Sequence, residues 1–439
     1  MRKLLSRAAA LLLAGVMTAA VAGCGKNSDS EAKDTAKKWT ELDQTQITEA
    51  MGLGWNLGNQ LEASSGGLPS ETCWGNPEIT KDLIDTVKAQ GFKTVRIPVS
   101  YLDMIGDGPD YKIDTDWLDR VQEVVDYVVN NDMFAIVNIH GDGYYTVDHS
   151  WLLCAEDDDK QTEIKDLDQL RPDNSDEIKD KYGKVWTQIA DRFKDYDQHL
   201  IFESMNEEFN NDYGKPDANA YENINAYNQI FVDSVRATGS NNEKRWLLLP
   251  GWNTNIEYTA GDDYNFKIPT DNGCKADGKR IMISVHYYDP FNFTIDENKT
   301  AKTQWGKYAV KNYDNWGQED HVDSQMALLN KKFVSQGYPV VIGEFGAQDK
   351  TEKFADYNEF RRYWAEYLIK AAKKNGVVCV YWDNGYNGNK GFGIINRFDY
   401  TITQPDLIAG MMRAINSTDD YEIPSPAGYT EVRKSAKAS

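Results

Sequence analysis

Two apolar runs in this chain end in carboxylates. The first, LIFESMNEEF over residues 200–209, turns from Leu and Ile into Asn206, Glu207 and Glu208; the second, PVVIGEFG from Pro339, carries Glu344. If the first run is a strand, alternation sends Glu207 and Glu208 to opposite faces, so only one of them can enter a site. Parity alone does not choose between them. A single glutamate at a strand end can serve a structural ion pair. Two at the ends of separate strands are the pair that glycoside hydrolysis needs, one as proton donor and the other as nucleophile or base. Further polar residues stand at similar places. Arg96 interrupts KTVRIPVSY and would be a costly buried charge without a carboxylate partner. His140 ends FAIVNIH, His286 and Tyr288 stand two apart in IMISVHYYDP, and Trp382 ends GVVCVYW. The chain has only five His, and two of them terminate such runs.

These residues must be positioned by repeating elements. Apolar, β-branched runs begin at Met51, Lys93, Phe134, Leu200, Arg245, Ile281, Pro339 and Gly376, which makes eight strands. Between them lie amphipathic stretches with helix signals. NPEITKDLIDTVKAQGF has Pro77 near its start and Gly91 at its end, and Trp117, Val121, Val124, Val125 and Val128 recur at helical spacing. The alternation predicts an α/β fold, a (β/α)8 TIM barrel forming a single catalytic domain, with a doubly wound open sheet as the alternative. Glu207 and Glu344 then sit on the fourth and seventh strands and meet across the barrel mouth. The long connections 141–180 and 290–314 would lie at the same rim, offering Tyr144, Tyr145, Trp151 and Phe291 as stacking platforms or as aromatics tucked into their own loops. GLGWNLG is not a dinucleotide fingerprint, because Leu57 holds the place of the third Gly. The EDDD run lacks EF-hand spacing and reads as a solvated loop. No Walker A, zinc-ligand or other cofactor motif occurs, and the chemistry needs no cofactor and no metal.

A net charge of −21 argues against nucleic acid or an anionic lipid surface as partner and suits a neutral substrate. Hydrophobic content of 41% supplies a full core. The basic MRKLLSR and the apolar residues 8–23 read as an export signal, too short for a typical membrane span. The signal ends in VAGC, which resembles a bacterial lipobox with Cys24 as the lipid-attachment residue. The reading is then a signal over 1–23, a flexible tether over 24–40, the barrel over 41–418 and a tail over 419–439. The expected product is a monomeric lipoprotein on the outer face of the cell membrane, or a secreted protein, touching the membrane only through its lipid. Cys379 reads as a buried thiol; disulfides among Cys73, Cys154 and Cys274 stay open.

Over residues 42–415 the motifs GWNLGNQLEA, ETCWGNP, GFKTVRIPVSY, FESMNEE, VHYYDPFNFT, TQWG, IGEFGA and YWDNG follow in order. In this the chain resembles the bacterial cellulases of glycoside hydrolase family 5. The resemblance implies a retaining, endo-acting β-1,4-glucanase whose partner is a β-glucan. Cellulose-type, mixed-linkage or xyloglucan chains are the implied substrates, with mannan as the alternative within the family. It implies Glu207 as acid/base, in preference to Glu208, and Glu344 as nucleophile. Arg96 and Tyr288 would hydrogen-bond Glu344 and depress its pKa. Asn206 would hold the sugar 2-OH, His140 and His286 would orient substrate and acid, and Trp382 would stack on a sugar ring. Two positions depart from the family pattern: Gly141 stands where many relatives have a second His, and Glu208 where they have Pro. A non-catalytic β-glucan-binding lipoprotein is the reading from another class, and it predicts loss of one of the two glutamates.

Overall fold

The computed structural model describes residues 39–142, 175–207, 215–216, 218–298, 300–418 and 420–433. Eight strands, β1 (Leu53–Asn56), β2 (Thr94–Ile97), β3 (Phe134–Asn138), β4 (Leu200–Glu203), β5 (Leu247–Pro250), β6 (Ile281–Tyr287), β7 (Val340–Phe345) and β8 (Val377–Tyr381), close into a barrel. Every neighbouring pair is parallel and follows chain order, and β8 closes on β1. All eight are buried along their full lengths, which is why they read as continuous apolar runs. The expected (β/α)8 barrel is the observed one.

The first strand starts later than the pattern suggested. Met51 is the last residue of helix α1 (Gln44–Met51), whose N-terminus Asp43 caps in a capping box with Gln46. Gly52, at φ +52°, then turns the chain into β1. Ile47 and Met51 pack with Phe134, Ile136, Ile201, Leu248, Met282, Val341, Val378 and Val380. These inward residues fill the barrel interior, and α1 closes its N-terminal end. That apolar role explains why Met51 resembled a strand residue.

Outside the barrel run α2 (Lys81–Ala89), α3 (Thr115–Val129), α4 (Ser175–Phe193), α5 (Ala218–Ala237), α6 (Ile256–Ala260), α7 (Phe291–Thr294), α8 (Glu319–Lys332), α9 (Tyr357–Lys374) and α10 (Pro405–Asn416). α3 shows the logic: Asp114 caps it, and Trp117, Leu118, Val121, Val124, Val125, Val128 and Val129 form its buried stripe. The segment after α10 is also anchored. Tyr421 hydrogen-bonds Glu366, and the ring of Tyr429 packs on Phe360.

One irregularity governs the site. Val285 pairs with Ile342 but His286 pairs with Glu344, and Cys379 pairs with Ile342 while Tyr381 pairs with Phe345. Gly343 is therefore an extra residue in β7 on both sides, a β-bulge. Val341 points into the barrel and Ile342 packs among the outer core residues. Strict alternation would send Glu344 outward with Ile342. The bulge returns it to the interior.

Candidate active site

The C-terminal ends of the strands bring the polar residues together. Arg96, fully buried on β2, is their hub. Its Nε donates to Glu203 at 2.6 Å, one terminal nitrogen to Glu344 at 2.8 Å and to Asn56 at 3.1 Å, and the other to Asn206 at 2.7 Å. The partner that the sequence demanded for this buried cation is thus a pair of carboxylates. Asn56 also donates to the carbonyl oxygen of Gly343 at 2.8 Å, tying the β7 bulge to the same arginine.

Glu344 accepts a second hydrogen bond from the Tyr288 hydroxyl at 3.0 Å. His286 Nδ1 lies 2.6 Å from Glu207 and 3.6 Å from Glu344. One oxygen of Glu207, one of Glu344 and a nitrogen of His286 all lie within 4.8 Å of one another. Two carboxylates and an imidazole at this spacing would also suit a divalent cation, but His286 Nδ1 is already engaged by Glu207. The two carboxylates thus face each other across one small site, as a pair flanking a glycosidic bond must.

The electrostatics correct one expectation. Arg96 and Tyr288 do hydrogen-bond Glu344, yet its pKa is raised, not depressed. Burial is the largest cause; His286 and Arg96 oppose it, and the like charge of Glu207 adds to the rise. Burial pushes the Tyr288 phenol well above its ordinary value, helped by both glutamates, so it remains a donor. Burial, Arg96 and His286 hold His140 well below the usual histidine range, as a neutral imidazole.

His140 and Trp382 form one wall of the cleft, with rings parallel within 3° and centroids 6.1 Å apart. They line a cavity of about 200 Å³ with Asn59, Glu62, Ser64, Trp74, Ser100, Leu102 and Gly141. Gly141 takes φ +71°, a conformation that favours glycine, and contributes no side chain to this wall. Glu62 is pushed up to about 7 by burial, against backbone N–H groups of Asn59 and Gln60 that lower it. Phe291 stands 53% exposed and is not tucked into its loop. Tyr144, Tyr145, Trp151, Cys154, Glu208 and Cys24 lie outside the described residues. Cys73, Cys274 and Cys379 are free thiols.

With this geometry in view, the comparisons with known proteins agree. The family model "Cellulase (glycosyl hydrolase family 5)" matches residues 59–388. The chain belongs to glycosyl hydrolase family 5. Endoglucanase A of Paenibacillus barcinonensis is 48% identical over 413 residues, covering 93% of this chain and 97% of its own. A family 5 xyloglucanase from Paenibacillus pabuli, solved with ligand, is 51% identical with a TM-score of 0.79, over 84% of this chain and all of that one. The Bacteroides ovatus family 5 xyloglucanase, solved with a XXXG heptasaccharide, is 32% identical at TM-score 0.75, over 86% of this chain and 78% of that one.

Several residues of this family 5 site escaped the sequence reading. Glu203, Asn138 and Ser284 form a layer beneath the carboxylates, and only Glu203 left a signal, as a charge inside an apolar run. Gly58, the last residue of GLGWNLG, has a packing use. A Cβ there would lie 2.7 Å from the Trp382 ring, so the glycine makes room for that wall of the cleft.

Proposed function

We propose that this family 5 endo-β-1,4-glucanase works by double displacement with Glu344 as nucleophile and Glu207 as acid/base. The observation that carries the assignment is the convergence of Glu344, Glu207 and His286 within 4.8 Å at the barrel mouth, with Arg96 and Tyr288 bound to Glu344. Glu344 attacks the anomeric carbon while Glu207 gives its proton to the departing glycosidic oxygen, leaving a glycosyl ester on Glu344. Glu207, now a carboxylate, takes a proton from water. The resulting hydroxide displaces Glu344 from the anomeric carbon, so configuration is retained over the two steps. His286, at 2.6 Å, orients Glu207 and can share its proton. Asn206 meets the sugar 2-OH, and Trp382 with His140 carries a sugar face.

The substrate is a β-glucan, and we assign xyloglucan and mixed-linkage glucan as its preferred forms. The 51% identical xyloglucanase supports this, as does the room left at Gly141 beside Trp382 and His140. The test is reducing-sugar release from carboxymethylcellulose, barley β-glucan, xyloglucan, glucomannan and xylan, with wild type and Glu344→Ala side by side. Activity on xyloglucan or barley glucan that vanishes in the variant is expected. Activity confined to glucomannan would overturn the substrate, and full activity in the variant would overturn the mechanism.

The protein further acts as a monomer tethered outside the cell through lipid on Cys24. VAGC at residues 21–24 is the support, and no helix among the described residues is long and apolar enough to cross a membrane. Radiolabelled palmitate should enter the wild type and not Cys24→Ser, and gel filtration should give a monomer.

A further inference from the structure

Glu203 is a carboxylate with no solvent exposure, placed directly below the reacting groups. One oxygen accepts from Arg96 Nε at 2.6 Å and from Asn138 at 3.0 Å, the other from Ser284 at 2.7 Å. All three neighbours donate, an arrangement that suits an ionised carboxylate. Burying such a charge beside the apolar barrel interior is expensive unless it is paired and hydrogen-bonded, and Arg96 is its one charged partner by direct hydrogen bond. Arg96 connects it to the chemistry, because the same guanidinium holds Glu344 at 2.8 Å and Asn206 at 2.7 Å. One cation thus serves two carboxylates.

We propose that Glu203 is a positioning residue that locks the Arg96 fork in register and divides its positive charge, so that Arg96 holds Glu344 in place without neutralising it as a nucleophile. With Glu203 uncharged, Arg96 would pair with Glu344 alone. The Glu344 carboxylate would then be stabilised in the ground state, easier to ionise but slower to attack. The charged and titratable groups around the pair are Arg96 from β2, His140 after β3, Glu207 after β4, His286 from β6, Tyr288 after β6 and Glu344 from β7. None but Glu203 changes in the variant below. This inference rests on Glu344 being the nucleophile, and its test reports on that separately.

Glu203→Gln keeps the shape and the acceptor for Arg96 and removes only the charge. A 2,4-dinitrophenyl 2-deoxy-2-fluoro-cellobioside forms the ester to the nucleophile and releases dinitrophenolate, which needs no proton. Its labelling rate against pH therefore follows ionisation of the nucleophile and not of Glu207. In Glu203→Gln the midpoint should move to lower pH by about one unit, with the plateau rate ~10-fold lower. In Glu203→Asp, which keeps the charge, the midpoint should stay where it is in wild type. A midpoint unmoved or raised in a folded Glu203→Gln overturns the proposal. Peptide mapping locates the label: a label on another residue overturns the nucleophile assignment, whereas a label on Glu344 with no shift overturns only the role of Glu203. If Glu203→Gln does not fold, 13C NMR of wild type labelled at glutamate Cδ decides. Glu203 must remain a carboxylate across the active pH range, and a protonated carboxyl there overturns the proposal.

Discussion

A methyl group on Gly58 would lie 2.7 Å from the Trp382 ring and 2.8 Å from the carbonyl oxygen of Asp383. The tryptophan cannot hold its place beside a larger residue, because Trp382 also donates its backbone N–H to Phe345 at 2.8 Å. Gly58→Ala should raise KM several-fold on soluble glucans with a smaller loss in kcat, since a stacking surface moves and the carboxylates do not. Overpacking should cost about 1–3 kcal/mol of stability. Steady-state kinetics with thermal unfolding checks both, and an unchanged KM would separate Trp382 from substrate binding.

The two glutamates should differ in rescue. Glu207→Ala is expected to lose about 10²–10⁴-fold in rate on unactivated glucans and to retain much more on substrates whose leaving group needs no proton. On those activated substrates added azide should restore turnover by attacking the glycosyl ester and displacing Glu344, giving a β-glycosyl azide. Glu344→Ala has no ester to attack, and azide filling its place should give the α-azide. NMR of the product anomers distinguishes them; exchanged anomers would exchange the two roles.

Glu344 should weaken the fold at neutral pH. Burial raises its pKa in the folded state above the ~4.3 of an unfolded glutamate. A carboxyl shifted this way contributes stability below the unfolded value, and that contribution is lost as pH rises through the folded value. Glu344→Gln should therefore melt at a higher temperature than wild type at pH 7, with the gain shrinking toward pH 4. The acid limb of kcat/KM should likewise lie above the ordinary carboxylate range. Calorimetry across pH checks the first, and a gain that grows on acidification would contradict the sign.

Arg96 tolerates no simple replacement. A lysine offers one ammonium where the guanidinium serves Glu203, Glu344, Asn56 and Asn206 in a fixed plane. Arg96→Lys should lower kcat by at least about 10²-fold, and Arg96→Ala should cost about 3–5 kcal/mol by leaving buried carboxylates unpaired. Denaturant unfolding and kinetics of the two variants separate charge from geometry.

Much of this was legible along the chain because it is local. Eight apolar runs alternating with amphipathic stretches dictate a barrel, since each strand is buried on both faces and each helix on one. Arg96 inside an apolar run announced a buried partner, and the motifs around Glu207 and Glu344 pointed to their family. What the tertiary structure decided depends on distances between segments far apart in sequence. Strand alternation would have turned Glu344 outward, and only the register of β7 against both neighbours shows that Gly343 is a bulge that turns it in. Hydrogen bonds from Arg96 and Tyr288 argue for a depressed pKa, but burial outweighs them, and burial is a property of the closed barrel. Met51 as a plug, Gly58 as space for Trp382 and Glu203 as the second claimant on Arg96 are likewise facts of packing. Sequence determined which groups this protein has for its chemistry, and the barrel determined which way they face and what charge they carry.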